Sequence, residues 1–209
     1  MVDRRAVKGA LILSVLGILA FLFISKALSA ILFLFLICHV AFFRDPKRNL
    51  PAGNAPVSPA DGTVVEISEV FEDRFLKEHA VKIGMFLSVF VPHVNRAPVD
   101  GTVRYLNYRP GKFLNALKKD SVNLNESNWI GTEQAGEKKT LIRQIAGAIA
   151  KRICCDVSLG QNLKRGEKVG IICYGSRMEC YLPKRYFKST LRLGDKVKAG
   201  ETILGEWLS

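Results

Sequence analysis

The sequence predicts a mainly β domain of short strands behind an N-terminal two-helix membrane hairpin. Three observations support this. Two uncharged apolar runs, Gly9 to Ser25 and Ala27 to Phe43, are separated only by Lys26. Two copies of a turn-and-strand device follow, Asp61-Gly62-Thr63-Val64 and Asp100-Gly101-Thr102-Val103. Near the C-terminus a second device repeats, LKRGEKVGII from Leu163 and LRLGDKVKAG from Leu191. Each of these has a leucine, a glycine turn followed by an acid and a lysine, a valine, and a further glycine.

Each apolar run is 17 residues long, the lower edge of what crosses a hydrocarbon core of ~30 Å. One continuous helix over both would measure roughly 52 Å at ~1.5 Å per residue, too long to cross without an extreme tilt. Two short helices in a hairpin fit better. A signal peptide is the competing reading, because Arg4, Arg5 and Lys8 precede the first run. The second run follows at once, however, and Ser25-Lys26-Ala27 is a poor cleavage site. Arg4, Arg5 and Lys8 lie before the hairpin and Arg44, Lys47 and Arg48 after it, against Lys26 alone in the hinge. The positive-inside tendency places both ends, and the domain that follows, on the cytoplasmic side of the cell membrane. Residues 1–48 therefore read as the hairpin with its flanks, and 49–209 as the folded domain.

The 31 Lys and Arg against 19 Asp and Glu give a formal net charge of +12. Basic residues are spread along the chain without a recognised nucleic-acid motif. Beside a membrane hairpin, the charge points to acidic headgroups as the partner rather than nucleic acid. Five cysteines, an odd number with no metal-ligand spacing, read as small buried side chains and predict neither a metal site nor a disulfide framework.

After the hairpin, Asn49 to Pro59, with Pro51, Gly53, Pro56 and Pro59, reads as an extended linker. Thr63 to Ile67 is rich in β-branched residues and reads as a strand, and Val81 to Val91 continues the β pattern. Gly111 to Asn128 breaks it: Phe113, Leu114, Leu117 and Ser121 have helix-like spacing, and the asparagines after them favour a polar loop. Thr140 to Ala150 reads as strands around an alanine-rich centre. Short glycine-punctuated strands are what a flattened barrel with corners requires. The domain thus resembles the barrel-sandwich architecture of lipoyl and biotinyl carriers. Those carriers bear a lysine at the hairpin tip midway between the two halves. Gly175-Ser176 stands there instead, a hydroxyl beside an unhindered carbonyl, which makes the pair a candidate for backbone chemistry.

Six segments, FFRDPKR, SPADGTVV, VPHVNRAPVDG, PGKFLNALKKDSVNLNESN, QIAGAIAKRI and YGSRMECYLP, together resemble the short prokaryotic type of phosphatidylserine decarboxylase. The resemblance runs from the hairpin to Gly205. It implies that the proenzyme cuts itself between Gly175 and Ser176, leaving a β chain 1–175 and an α chain 176–209 as a heterodimer of its own parts. Ser176 then becomes an N-terminal pyruvoyl group, the covalent cofactor. The substrate's serine amine would form a Schiff base with it, CO₂ would leave, and the ethanolamine lipid would result. Longer members commonly carry Thr or Ser after the motif serine, where this chain has Arg177, as the short type does.

Ser176 Oγ needs a base to attack the Gly175 carbonyl, and an acid must later protonate the substrate carbon. Of three histidines, His39 lies in the second apolar run and reads as interfacial or packing, and His79 in a charged segment reads as surface. His93, after Pro92 and beside Asn95 and Arg96, is the candidate proton handler. Asp61 is the candidate partner that orients or charges His93. Arg96, with Arg109 or Lys112 as alternatives, is the candidate for the lipid phosphate or the departing carboxylate. Two other classes fit parts of the sequence: a non-enzymatic membrane adaptor using the β domain as a binding module, and an anionic-lipid or nucleic-acid binder resting on charge alone. Whether the glycerol backbone is the ester-linked or ether-linked stereoisomer is left open.

Overall fold

The structure, a computed structural model, describes residues 1–115, 122–134, 138–148, 152–173 and 176–208. The chain forms two compact units, Met1–Lys47 and Arg48–Ser209.

In the first unit, α1 (Ala6–Phe23) and α2 (Lys26–Phe42) break at Ile24-Ser25, where Ser25 turns extended and its Oγ accepts from the Ala27 N–H at 3.2 Å. A serine cap of this kind satisfies a donor that the new helix leaves open. The helices approach closely through glycine. A Cβ on Gly17 would lie 3.2 Å from the Phe33 ring, and one on Gly9 2.6 Å from His39. His39 packs as expected, its ring 4.9 Å from that of Phe43 and its Nε2 3.1 Å from the Ala6 carbonyl. By length and apolarity α1 can cross a membrane; α2, at 17 residues, is shorter.

The second unit is mainly β, as the sequence predicts. Its strands are β1 (Gly62–Glu72), β2 (Glu78–Leu87), β3 (Val94–Arg96), β4 (Gly101–Arg109), β5 (Ser127–Glu133), β6 (Lys139–Ile145), β7 (Arg152–Cys155), β8 (Asn162–Leu163), β9 (Lys168–Cys173), β10 (Ser176–Pro183), β11 (Phe187–Ser189), β12 (Lys196–Val197) and β13 (Gly205–Trp207). A curled eight-stranded sheet runs β12-β1-β2-β10-β6-β5-β4-β8, a second sheet β3-β9-β7, and β11 pairs with β13. The core includes Met85, Leu87, Met178, Cys180 and Leu182 from the large sheet and Val169 and Ile172 from the small one.

Both sequence devices prove to be local structures. Gly62 and Gly101 open β1 and β4 where strands meet too closely for a side chain: a Cβ would lie 2.4 Å from the Phe86 carbonyl oxygen and 2.8 Å from that of Glu133. In the C-terminal repeat, Gly166 and Gly194 take φ of 80° and 91°, the left-handed region that favours glycine. The acid after each caps its turn, Glu167 accepting from Lys164 N–H at 2.8 Å and Asp195 from Arg192 N–H at 2.7 Å.

Two boundaries differ from expectation. The strand expected to run to Val91 ends at Leu87, where a turn closed by Val91 N–H to the Ser88 carbonyl leads into Pro92. The strands expected around the alanine-rich centre are β6, to Ile145, and β7, from Arg152, while Ile149 and Ala150 lie outside the described residues. Phe113 and Leu114 lie in an extended arm rather than a helix, because Lys112 pairs in both directions with the chain at Leu124 and Glu126. Leu117 and Ser121 lie outside the described residues.

Gly170, in the strand leading to Ser176, sits between Asn95 and Cys155, and a Cβ there would lie 2.2 Å from the Cys154 carbonyl oxygen. Gly170→Ala is expected to destabilise the domain by about 2–3 kcal/mol, read as a lower urea midpoint.

Candidate active site

The chain passes between the two sheets twice at one place. From Leu87 in β2 it leaves the large sheet, turns at Ser88–Val91 and reaches His93 at the head of β3. From Cys173 in β9 it leaves the small sheet, and after two residues it enters the large one at Ser176. The crossings are neighbours at both ends. Ser176 lies opposite Leu87 in the large sheet, and the Ile172 N–H donates to the His93 carbonyl in the small one at 3.3 Å. The Gly175-Ser176 bond thus falls in the shorter crossing, next to the one that delivers His93. Gly175 itself lies outside the described residues.

The period of two along a strand sets the direction of each side chain. Ser176 shares its parity with Met178, Cys180 and Leu182, all in the core between the sheets. Ser176 is fully buried, and its Oγ has no hydrogen-bond partner among the described residues. A buried hydroxyl without a partner costs on the order of 1–3 kcal/mol, and such a cost is a feature of sites built for chemistry rather than packing.

His93 is also fully buried. Its Nδ1 lies 2.8 Å from the Val91 carbonyl. A carbonyl oxygen only accepts, so Nδ1 carries the hydrogen, and in the neutral ring Nε2 holds the lone pair. The tautomer suited to a base is set by main chain two residues away. Asn95, two residues on, accepts at 2.9 Å from Gln144 of β6, which in turn accepts at 2.9 Å from Asn128 of β5. This buried amide chain ties β3 to the large sheet beside the crossings.

Asp61 stands at the same end of the sheet, immediately before β1. Arg48 holds both its oxygens, at 3.1 and 2.6 Å. Burial pushes the Asp61 carboxyl above its ordinary range, and Arg48 chiefly, with the Ala199 N–H and Arg96, pulls against that. The structure therefore gives the two expected partners different bonds: Asp61 engages Arg48, and the Nδ1 of His93 goes to Val91. Arg96 donates to the Gly166 carbonyl at 2.9 Å, and its stem packs where a Cβ on Gly200 would lie 3.2 Å away. Arg109 and Lys112 lie further round the same end, Arg109 donating to the Asn123 carbonyl.

The Phosphatidylserine decarboxylase family matches residues 35–205 of this chain. The chain is 46% identical over 200 residues to the phosphatidylserine decarboxylase proenzyme of Carboxydothermus hydrogenoformans, covering 95% of this chain and 88% of that one. It is 43% identical over 181 residues to that of Geotalea uraniireducens, covering 86% and 84%. With that of Nitrosomonas eutropha the figures are 47% over 170 residues, 79% and 76%. The chain belongs to the phosphatidylserine decarboxylase family. It is accordingly a carboxy-lyase.

Arg177, which follows the motif serine in this decarboxylase, lies on the opposite face of β10. It donates to Glu179 at 3.0 Å and to Glu66, which also takes Lys82 at 2.6 Å. Arg143 reaches Glu179 at 3.5 Å, and the Tyr181 hydroxyl donates to Glu179 at 2.7 Å. Burial raises Glu66, but Lys82 and Arg177 outweigh it, so its carboxyl falls below the ordinary range. Burial pushes the Cys180 thiol up, which removes it from nucleophilic chemistry.

Sequence reasoning missed Arg48, the Val91 carbonyl and the amide chain. Asn95 carried a usable signal, since it shares strand parity with His93; a backbone carbonyl carried none, and Arg48 stood in the FFRDPKR segment with nothing to say which acid it meets.

Removing Arg48 would leave a buried carboxylate without its main partner, with its folded-state pKa further above the unfolded value. The native state then keeps its proton to higher pH than the unfolded chain, so stability is lost as pH rises through that window and regained as it falls. Arg48→Met is expected to lose about 3–5 kcal/mol at neutral pH and to regain part of it on acidification, in urea titrations at the two pH values.

Proposed function

We propose that this decarboxylase is made as a proenzyme that cuts its own Gly175-Ser176 bond, converts Ser176 to a pyruvoyl group, and decarboxylates a serine phospholipid to the ethanolamine lipid. The observation that carries this is the buried Ser176 hydroxyl, without a hydrogen-bond partner among the described residues, in the crossing beside His93. The relatives' names as proenzymes agree with it.

Nε2 of His93 takes the Ser176 Oγ proton as Oγ attacks the Gly175 carbonyl carbon. The C–N bond breaks, the Ser176 nitrogen gains a proton, and an ester replaces the amide. Loss of the Ser176 Cα proton then expels Gly175 as a carboxylate, closing chain 1–175. Addition of water to the remaining unsaturated residue releases ammonia and leaves a ketone at the head of chain 176–209. Asn95 Nδ2 of β3 and Ser127 Oγ of β5 are buried polar atoms without a partner among the described residues, donors that would suit a small carbonyl group at this end of the sheets. The group supplies an electrophilic carbonyl that takes up the substrate amine and the electrons freed when CO₂ leaves. His93 returns a proton to the substrate carbon. Asp61 acts as a positioning residue through Arg48, holding the entry to β1 and the local charge. Arg96, with Arg109 and Lys112 around the rim, faces the lipid's phosphate and carboxylate.

The two chains stay together as a heterodimer, because α-chain strand β10 lies between β-chain strands β2 and β6. The hairpin holds the enzyme in the cell membrane with the domain on the cytoplasmic side, as the flanking charges direct.

Ser176→Ala is expected to remain one chain of 23.2 kDa that melts cooperatively and releases no CO₂ from phosphatidylserine. The parent should run as two chains, the smaller reacting with hydroxylamine. An uncut parent that still releases CO₂ overturns the reading. His93→Ala is expected to slow cutting about 10²–10⁴-fold in timed denaturing gels; unchanged cutting and turnover would remove His93 from the mechanism.

A further inference from the structure

The two ends of the large sheet differ in chemistry. One row of paired residues, Thr63, Phe86, Arg177, Ile145, Ser127 and Arg109, marks the end that holds Ser176. The loops beyond that row carry large apolar side chains into solvent: Val89 is 38% exposed, Phe90 84%, Phe113 40%, Leu114 39% and Leu124 48%. They come from two segments distant in sequence, the turn leading to His93 and the arm before β5, and the register brings both to one end. Residues 86–93, 109–115 and 122–125 contain no Asp or Glu, and Lys112 stands exposed and Arg109 half-buried among them. The opposite end is charged: the β1–β2 turn alone carries Glu72, Asp73, Arg74, Lys77 and Glu78.

We propose that this end is a membrane-docking surface, in which Val89-Phe90 and the Phe113-Leu114 arm with Leu124 enter the headgroup and acyl boundary of an anionic bilayer. Scattered surface apolar residues need no explanation, but a cluster rimmed by one sign of charge marks an interaction site. Apolar insertion combined with basic side chains near acidic headgroups is how monotopic surfaces hold a bilayer. The occupant is a lipid surface rather than another protein because the same end holds the decarboxylase centre, whose substrate lies in the bilayer with its headgroup at the boundary. Docking sets Ser176 and His93 at headgroup depth, independently of the anchor supplied by α1 and α2. The purpose rests on the reading above; the docking itself is measured without catalysis.

The test uses the full chain in phosphatidylcholine–phosphatidylglycerol vesicles whose acyl chains carry bromine. Emission from Phe90→Trp, measured against the parent's Trp129 and Trp207 signal, is expected to shift to the blue and be quenched. Phe71→Trp, 59% exposed near the far end of β1, should show neither. Unquenched Phe90→Trp, or equal quenching at both positions, overturns the proposal. Phe90→Asp is expected to lower the ratio of turnover on bilayer phosphatidylserine to turnover on a soluble short-chain phosphatidylserine about tenfold; an unchanged ratio also overturns it. A parent chain that turns over neither lipid refutes the reading above, while the quenching still decides the docking.

Discussion

The constraint on which this molecule depends is that two β-sheets are joined by two adjacent crossings whose far ends are both pinned by pairing. Cys173 and Ser176 are three residues apart, so their separation is at most about 10 Å. Each is held by strand pairing in its own sheet, Cys173 opposite Arg152 and Ser176 opposite Leu87. Neither end can drift to relieve the other. The neighbouring crossing ends at His93, whose carbonyl is bonded to the strand that precedes the serine. Ser176 and His93 are thus delivered by one topological feature, and the Val91 carbonyl that sets the histidine tautomer belongs to the same short loop.

Register gives this arrangement its specificity. Because side chains alternate along a strand, a slip of one residue in β10 would exchange Ser176 for Arg177 on the core face. Glu66, Lys82 and Arg143 on the other face oppose that slip, since it would carry Arg177 and Glu179 together into the apolar core and away from Glu66 and Arg143. Gly84, opposite Glu179, leaves the room this needs: a Cβ there would lie 2.4 Å from the Arg177 guanidinium. A buried ion network contributes little net stability compared with apolar packing. Its use here is to hold a single alignment of the strand that begins with Ser176.

How much of this was legible in the sequence depends on the range over which each feature is encoded. The hairpin, the paired DGTV turns and the repeated glycine–acid corners are local, and each appears in the structure where its residues stand. The Gly-Ser motif and His93 stand out in the sequence as candidates by residue type, and the structure sets Ser176 and His93 at neighbouring crossings. Asp61 was legible as an important acid, but its bond was not, since the guanidinium that takes it comes from Arg48, in the extended stretch after the hairpin. The arm at 111–115 was misjudged because apolar spacing alone cannot distinguish a helix from a strand-like segment whose pairing partner, Leu124 to Glu126, lies a dozen residues on. The amide chain Asn95–Gln144–Asn128 joins three strands from separate parts of the chain, and no pattern in any one of them announces it.

The proposed self-cleavage and lipid turnover would make opposing demands on the same atoms. Oxygen attack on an amide is favoured where water is excluded and the hydroxyl is not already satisfied, which is the environment of Ser176 beneath the core side chains of β10. A phospholipid, by contrast, has to present a charged headgroup to that centre while its chains remain in hydrocarbon. A site in the middle of the sheet would meet the first demand and fail the second; one on a surface loop would do the reverse. The first residue of a central strand meets both, being walled on either side by β2 and β6 yet one residue from the end of the sheet. Under the proposed docking, the exposed apolar loops at this end follow the same logic, since a surface that borders the bilayer would shorten the path from lipid to Ser176.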